Sequence, residues 1–129
     1  MSVLPHTVIS RYARDLGWPL LLQNNGIFLP ANLGIAGLRL AAGLAGEVNT
    51  EIRRREIVVP ILASTHHWVF LTEEPFQRLP PGVNVQSGPI ALPPTEVDGV
   101  PTRWVSAPGA LIPPPAVVID AIRYVVRKR

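Results

Sequence analysis

Proline is the feature that most limits what this chain can fold into. It occupies 15 of 129 positions, more than twice its usual share of about 5%. Proline lacks a backbone donor and clashes with the preceding helical turn. The content therefore excludes a helix bundle and favours short strands, turns and extended connectors. The length suits a single domain, 1–129, able to bury a core of its own. Hydrophobic residues make up 47% and charged residues 16%, a balance incompatible with disorder. The chain has no cysteine, which excludes disulfide frameworks and thiolate chemistry. The expected fold class is α/β (α+β), a small mixed or antiparallel sheet with packed helices.

No run of about 18 apolar residues occurs, so no transmembrane helix and no membrane partner are expected. Met1 to Gly17 carries His6, Arg11, Arg14 and Asp15, unlike a signal peptide with its clean apolar stretch. A cytoplasmic location is expected. The net charge is +3, and the excess sits in Arg53, Arg54 and Arg55 and in Arg127, Lys128 and Arg129. These clusters have two readings: solvated helix ends, or contacts to nucleic-acid phosphates. A mean hydropathy of +0.26 with few charges leaves apolar surface for a protein partner or a second copy.

Along the chain, Thr7 to Leu16 has the spacing of a short amphipathic helix, ended by Gly17 and Pro19. Trp18 to Gln23 and Ile27 to Leu29 read as two strands of a hairpin around Asn24-Asn25-Gly26. With Asn32 as its cap, Leu33 to Gly46 is expected to form an imperfect helix, weakened by Gly34, Gly37, Gly43 and Gly46. Glu47 to Glu56 should continue as a polar helix, with Glu51 and Arg55 paired at i,i+4. Ile57 to Leu62 and His67 to Thr72 are strand-like, and Pro60 either weakens the first or places it at an edge. Short strands are expected at Val83 to Val85, Ile90 to Leu92 and Arg103 to Val105, with a turn at Asp98-Gly99. After the connector Ser106 to Pro115, residues 116–127 form the clearest helix. Its stripe is Val118, Ile119, Ile122, Val125 and Val126.

Several chemical motifs fail on spacing. Gly34-x-x-Gly37 lacks the Lys-Ser/Thr of a phosphate loop. His66-His67 would point to opposite faces of a strand, with no Cys or third His nearby, so zinc is not expected. Glu96-Val97-Asp98 has the spacing of a metal pair but lies in a hairpin turn, where a solvated loop explains it. No Gly-x-Ser-x-Gly supports hydrolase chemistry. The stretches Pro80-Pro81, Pro93-Pro94 and Pro113-Pro114-Pro115 read as connectors.

One set of motifs carries a family likeness. Ser64-Thr65-His66-His67-Trp68-Val69-Phe70 is followed by Pro81-Gly82-Val83-Asn84-Val85-Gln86-Ser87-Gly88, Ala91-Leu92-Pro93-Pro94-Thr95 and Thr102-Arg103-Trp104-Val105. In order and approximate spacing, residues 64–105 resemble the archaeo-eukaryotic type primase–polymerase domain in its bacterial bifunctional form. A further match lies at Tyr12-Ala13-Arg14 and Gly17-Trp18-Pro19. The resemblance implies two-metal nucleotidyl transfer by an Asp-x-Asp/Glu pair and a third acid. Here the corresponding strand reads Gly26-Ile27-Phe28-Leu29-Pro30, and Asn84 stands at the third position. The resemblance therefore implies a degenerate module, without catalysis, metal or cofactor, that binds a nucleotide or nucleic acid and assists replication or regulation. Its Ser-x-His element makes Ser64 and His66 ligand-binding candidates, with Arg103 as a phosphate contact. The alternatives are a cross-strand pairing of Arg103 with Glu96 or Asp98, and a polar strand start for Ser64 and His66. The rival for the whole chain is an interaction protein that self-associates through Trp68, Trp104 or the 118–126 stripe.

Overall fold

The structure is a computed structural model that describes residues 6–23, 25–30, 34–75, 78–86, 88–109 and 111–129. The chain opens with α1 (His6–Ser10), which runs into a π-helical turn, Arg11–Asp15. β1 (Leu21–Gln23), β2 (Gly26–Leu29) and β3 (Ile35–Ala41) follow, then α2 (Ala42–Arg54). Next come β4 (Ile61–Ala63), β5 (His67–Glu73), β6 (Asn84–Val85) and β7 (Ile90–Leu92). β8 (Glu96–Val97), β9 (Val100–Pro101), β10 (Arg103–Ser106) and α3 (Pro115–Lys128) complete the order.

The strands form a five-stranded sheet, β10-β4-β5-β3-β6, a three-stranded sheet, β1-β2-β7, and the hairpin β8-β9. All pairings are antiparallel, so the fold is mixed α/β with antiparallel sheets. Alternation along each strand sends successive side chains to opposite faces. Leu38, Leu40, Ile61 and Phe70 point to one face and pack with Val48, Ile52, Val118 and Ile122 of the two helices. Leu62, Val69 and Leu71 point to the other and meet Ile27, Leu29, Ile90 and Leu92 of the second sheet. The molecule thus has three layers: helices, large sheet, small sheet.

Tyr12, Trp18 and Trp104 close one end of the second interface. Tyr12 and Trp18 stack with centroids 5.9 Å apart. The Trp104 indole N–H donates to the Tyr12 hydroxyl at 3.1 Å, and that hydroxyl donates to the Pro93 carbonyl at 2.8 Å.

Most expected elements occur near their expected positions, including the first helix, its Gly17 stop at φ +67°, and the hairpin turn with Asn25 at φ 59°. Asn24 and the cap at Asn32 lie outside the described residues. Three expectations are corrected. The helix expected over 33–46 gives way to the interior strand β3, between β5 and β6, and α2 starts only at Ala42. Gly34 and Gly37 disfavour a helix in the first half of that segment, where Leu38 and Leu40 alternate into the core, whereas Gly43 and Gly46 are accommodated in α2. Gly37 lets the small sheet approach, because a Cβ there would stand 3.0 Å from Ile90 Cδ1 of β7, besides 2.6 Å from Val69 Cγ1 on the neighbouring strand. The strand expected from Ile57 begins only at Ile61 and lies between β10 and β5, not at an edge. Pro60 precedes it, and its carbonyl accepts from the Leu71 N–H at 3.0 Å. Finally, the 118–126 stripe is an internal face and not a surface for self-association: Val118, Ile119, Ile122 and Val125 are buried against the sheet and α2, and Val126 alone of the stripe is exposed. Among the described residues, no helix is long and apolar enough to cross a membrane.

Candidate functional site

Between the two sheets, on the side away from the helices, lies a cavity of about 210 Å³. The register of β3 against β5 builds its polar wall. Arg39 sits opposite Val69, and His67 sits opposite Ala41, so Arg39 and His67 are diagonal neighbours on one face. Arg39 Nη2 lies 3.2 Å from His67 Nδ1. A guanidinium only donates, so Nδ1 is the acceptor and the imidazole proton sits on Nε2. Burial, then the charges of Arg39 and His66, hold the His67 pKa below its ordinary 6.5. The ring is therefore neutral at pH 7.

A tight turn holds His67 in place. The Ser64 N–H and hydroxyl both donate to the His67 carbonyl, at 3.0 and 2.9 Å. The Ala42 N–H donates to the His66 carbonyl at 2.9 Å, tying the same turn to the start of α2. Across the cavity, Val97 and Thr102 come from the two ends of the β8-β9 hairpin. Thr95 anchors that hairpin: its hydroxyl accepts from the Ile27 N–H at 2.8 Å and donates to the Ile27 carbonyl at 3.1 Å. The Thr102 N–H then donates to the Thr95 carbonyl at 2.8 Å. The Thr102 hydroxyl is buried and has no partner among the described residues. Leu62, Val69 and Ile90 supply apolar wall, and Gln86 adds an amide. No carboxylate lines the cavity among the described residues.

Of the residues singled out from the sequence, Ser64 lines this cavity, with its hydroxyl engaged on the His67 backbone. His66 is exposed in the turn, outside the lining, and His67 takes the inward position. Arg103 is exposed on the outer strand β10, opposite Ala63, and does not join the lining. Arg127, Lys128 and Arg129 lie at the end of α3, on the helical layer. Arg39 escaped the sequence reading because its segment resembled a glycine-weakened helix. The available signal was Leu38-Arg39-Leu40, a polar residue between two apolar ones, which is strand alternation. Asn84, where the resemblance places a carboxylate, is the cross-strand neighbour of Arg39 on β6. Among the described residues, no three His, Cys, Asp or Glu side chains converge to hold a metal.

Neither the protein-family models, the curated proteins nor the solved structures contain a match to this chain.

Proposed function

We propose that the chain is a nucleotide-binding module whose cavity takes the phosphate-bearing end of its ligand. The observation that carries this reading is the Arg39–His67 pair in a lining without carboxylates. Arg39 keeps N–H donors beyond the one engaged on His67, in a planar fork that suits phosphate oxygens. The His67 Nε2–H adds a neutral donor. The volume, about 210 Å³, exceeds the roughly 150 Å³ that holds a benzene ring. It falls short of the roughly 300 Å³ at which sites for whole drug-sized ligands begin. It therefore suits one end of a nucleotide, with the remainder outside the mouth. The phosphate contact expected of His66 and Arg103 passes in this reading to His67 and Arg39.

Calorimetric titration with AMP, and with adenosine for comparison, tests it. AMP should bind and adenosine should not. Arg39→Met should weaken AMP roughly tenfold to a hundredfold, the loss of one charge-assisted hydrogen bond of about 1.5–3 kcal/mol. Equal binding of adenosine and AMP, or no binding of AMP at millimolar concentration, would overturn the proposal.

One observation favours a second reading, self-association. β1 is an outer strand of the small sheet, and Leu22 on it is 53% exposed. An exposed apolar edge is a template for pairing with a second copy. Light scattering should then show a dimer that Leu22→Lys converts to a monomer, and a wild-type monomer at all concentrations would exclude this.

A further inference from the structure

The charges of this chain are divided by layer. The α2 end and its cap carry Arg53, Arg54 and Arg55, and α3 carries Arg123, Arg127, Lys128 and Arg129. Against them the helical layer sets Glu47, Glu51, Glu56 and Asp120. The excess of three equals the net charge of the whole chain, and the remaining cations and acids balance at five each. The excess of positive charge is thus carried by α2, α3 and their ends, on the opposite side of the large sheet from the cavity.

The cations are also held in place. Arg54, Arg55 and Lys128 surround a single ring, Tyr124, at 5.9, 5.3 and 5.1 Å from its centroid. Glu51, only 8% exposed, accepts from both Arg54 and Arg55, and Arg129 pairs with Glu47. These partners fix the heads of cations that remain open to solvent: Arg54 is 64% and Arg129 50% exposed. One carboxylate between two guanidinium groups leaves the cluster positive. Like charges gathered around one ring repel each other, and an external anion would relieve that repulsion.

We infer that the helical layer is a docking surface for the phosphate backbone of a nucleic acid duplex. The cluster runs along α2 from Glu47 to Arg55, about 12 Å at 1.5 Å per residue. A duplex presents a charge per strand about every 3.4 Å of its axis, so the surface spans some three phosphates of one strand. An anionic membrane is the less suitable partner. Interfacial helices insert large apolar side chains, whereas Val126 is the only large apolar residue of α2 and α3 markedly exposed among the described residues. Binding through phosphates alone carries no base readout, so it is independent of sequence. This surface shares no residue with the cavity, and its test stands apart from that of the nucleotide site.

The experiment is fluorescence anisotropy with a labelled 20-base-pair DNA duplex at salt concentrations from 50 to 200 mM. Neutralising about three phosphates predicts a slope of log affinity against log salt near −2.7. The double variant Lys128→Ser/Arg129→Ser should reduce the slope by about 2 and weaken binding at every salt concentration. Arg11→Ser/Arg14→Ser removes the same charge from the opposite side of the molecule and should leave the slope unchanged. Equal losses in the two double variants, or no duplex binding at 50 mM salt, would overturn the inference. So would binding to phosphatidylserine vesicles in the absence of duplex binding.

Discussion

At Gly37 a Cβ would stand 2.6 Å from Val69 Cγ1 and 3.0 Å from Ile90 Cδ1, and both side chains line the cavity. The absent Cβ lets the small sheet settle on the large one. Gly37→Ala should force these neighbours apart and destabilise the fold by about 1–3 kcal/mol, the usual cost of overpacking. Urea denaturation should show the lowered midpoint, and an unchanged midpoint would mean the layers shift freely. The identity of the inward histidine shows how much of the site was legible residue by residue. The sequence pointed to Ser64 and His66, with His67 facing the other way; Ser64 does line the cavity, but His67 and not His66 joins it. Strand alternation alone could not choose between His66 and His67, because the choice depends on where the ladder starts. The Ser64 contacts to the His67 carbonyl place His66 in the turn and His67 on the strand. That start is a feature of the turn, which no periodicity reports.

Local pattern explains the elements unevenly. α3 was legible because Pro115 opens it and an apolar stripe runs its length. After Pro115 it also runs without proline to its end, and the longest stretch without proline, 31–59, holds β3 and α2. Within that longest stretch the boundary was hidden. Small residues and leucines fit a helix as readily as a strand, and cross-strand pairing with β5 and β6 decides for the strand. The polar half of α2 was legible through Glu51 and Arg55, which pair as the i,i+4 order suggests. Arg54, then Arg55, lower the Glu51 pKa from 4.5 to about 2. The unfolded chain therefore takes up a proton near pH 4.5 that the folded chain refuses until about pH 2. The stabilisation is present above pH 4.5 and fades as pH falls through that window. Glu51→Gln should accordingly melt below wild type at pH 7, and the difference should shrink toward pH 2. A difference independent of pH would show that the carboxylate charge is not the source.

Across the whole molecule, the three layers separate two kinds of surface. The helical side holds the net charge, fixed around Tyr124 by Glu51 and Glu47. The opposite side holds a small cavity with one arginine and a neutral imidazole. Sequence composition led to short strands with packed helices, and the antiparallel sheets agree. It did not reveal that the short strands divide between two sheets. β6 and β7 are close in sequence yet belong to different layers, and tertiary packing alone makes that assignment. The cavity exists because of this division, so its residues could not be assembled from local pattern. NMR tests the anion site built on Arg39 and His67. The side chains of the three histidines are followed through a pH titration, without and with AMP. Alone, His67 should titrate below 6.5. With AMP bound, its pKa should rise, because the phosphate offsets the repulsion from Arg39. A His67 curve unmoved by AMP would contradict an anion site at this pair.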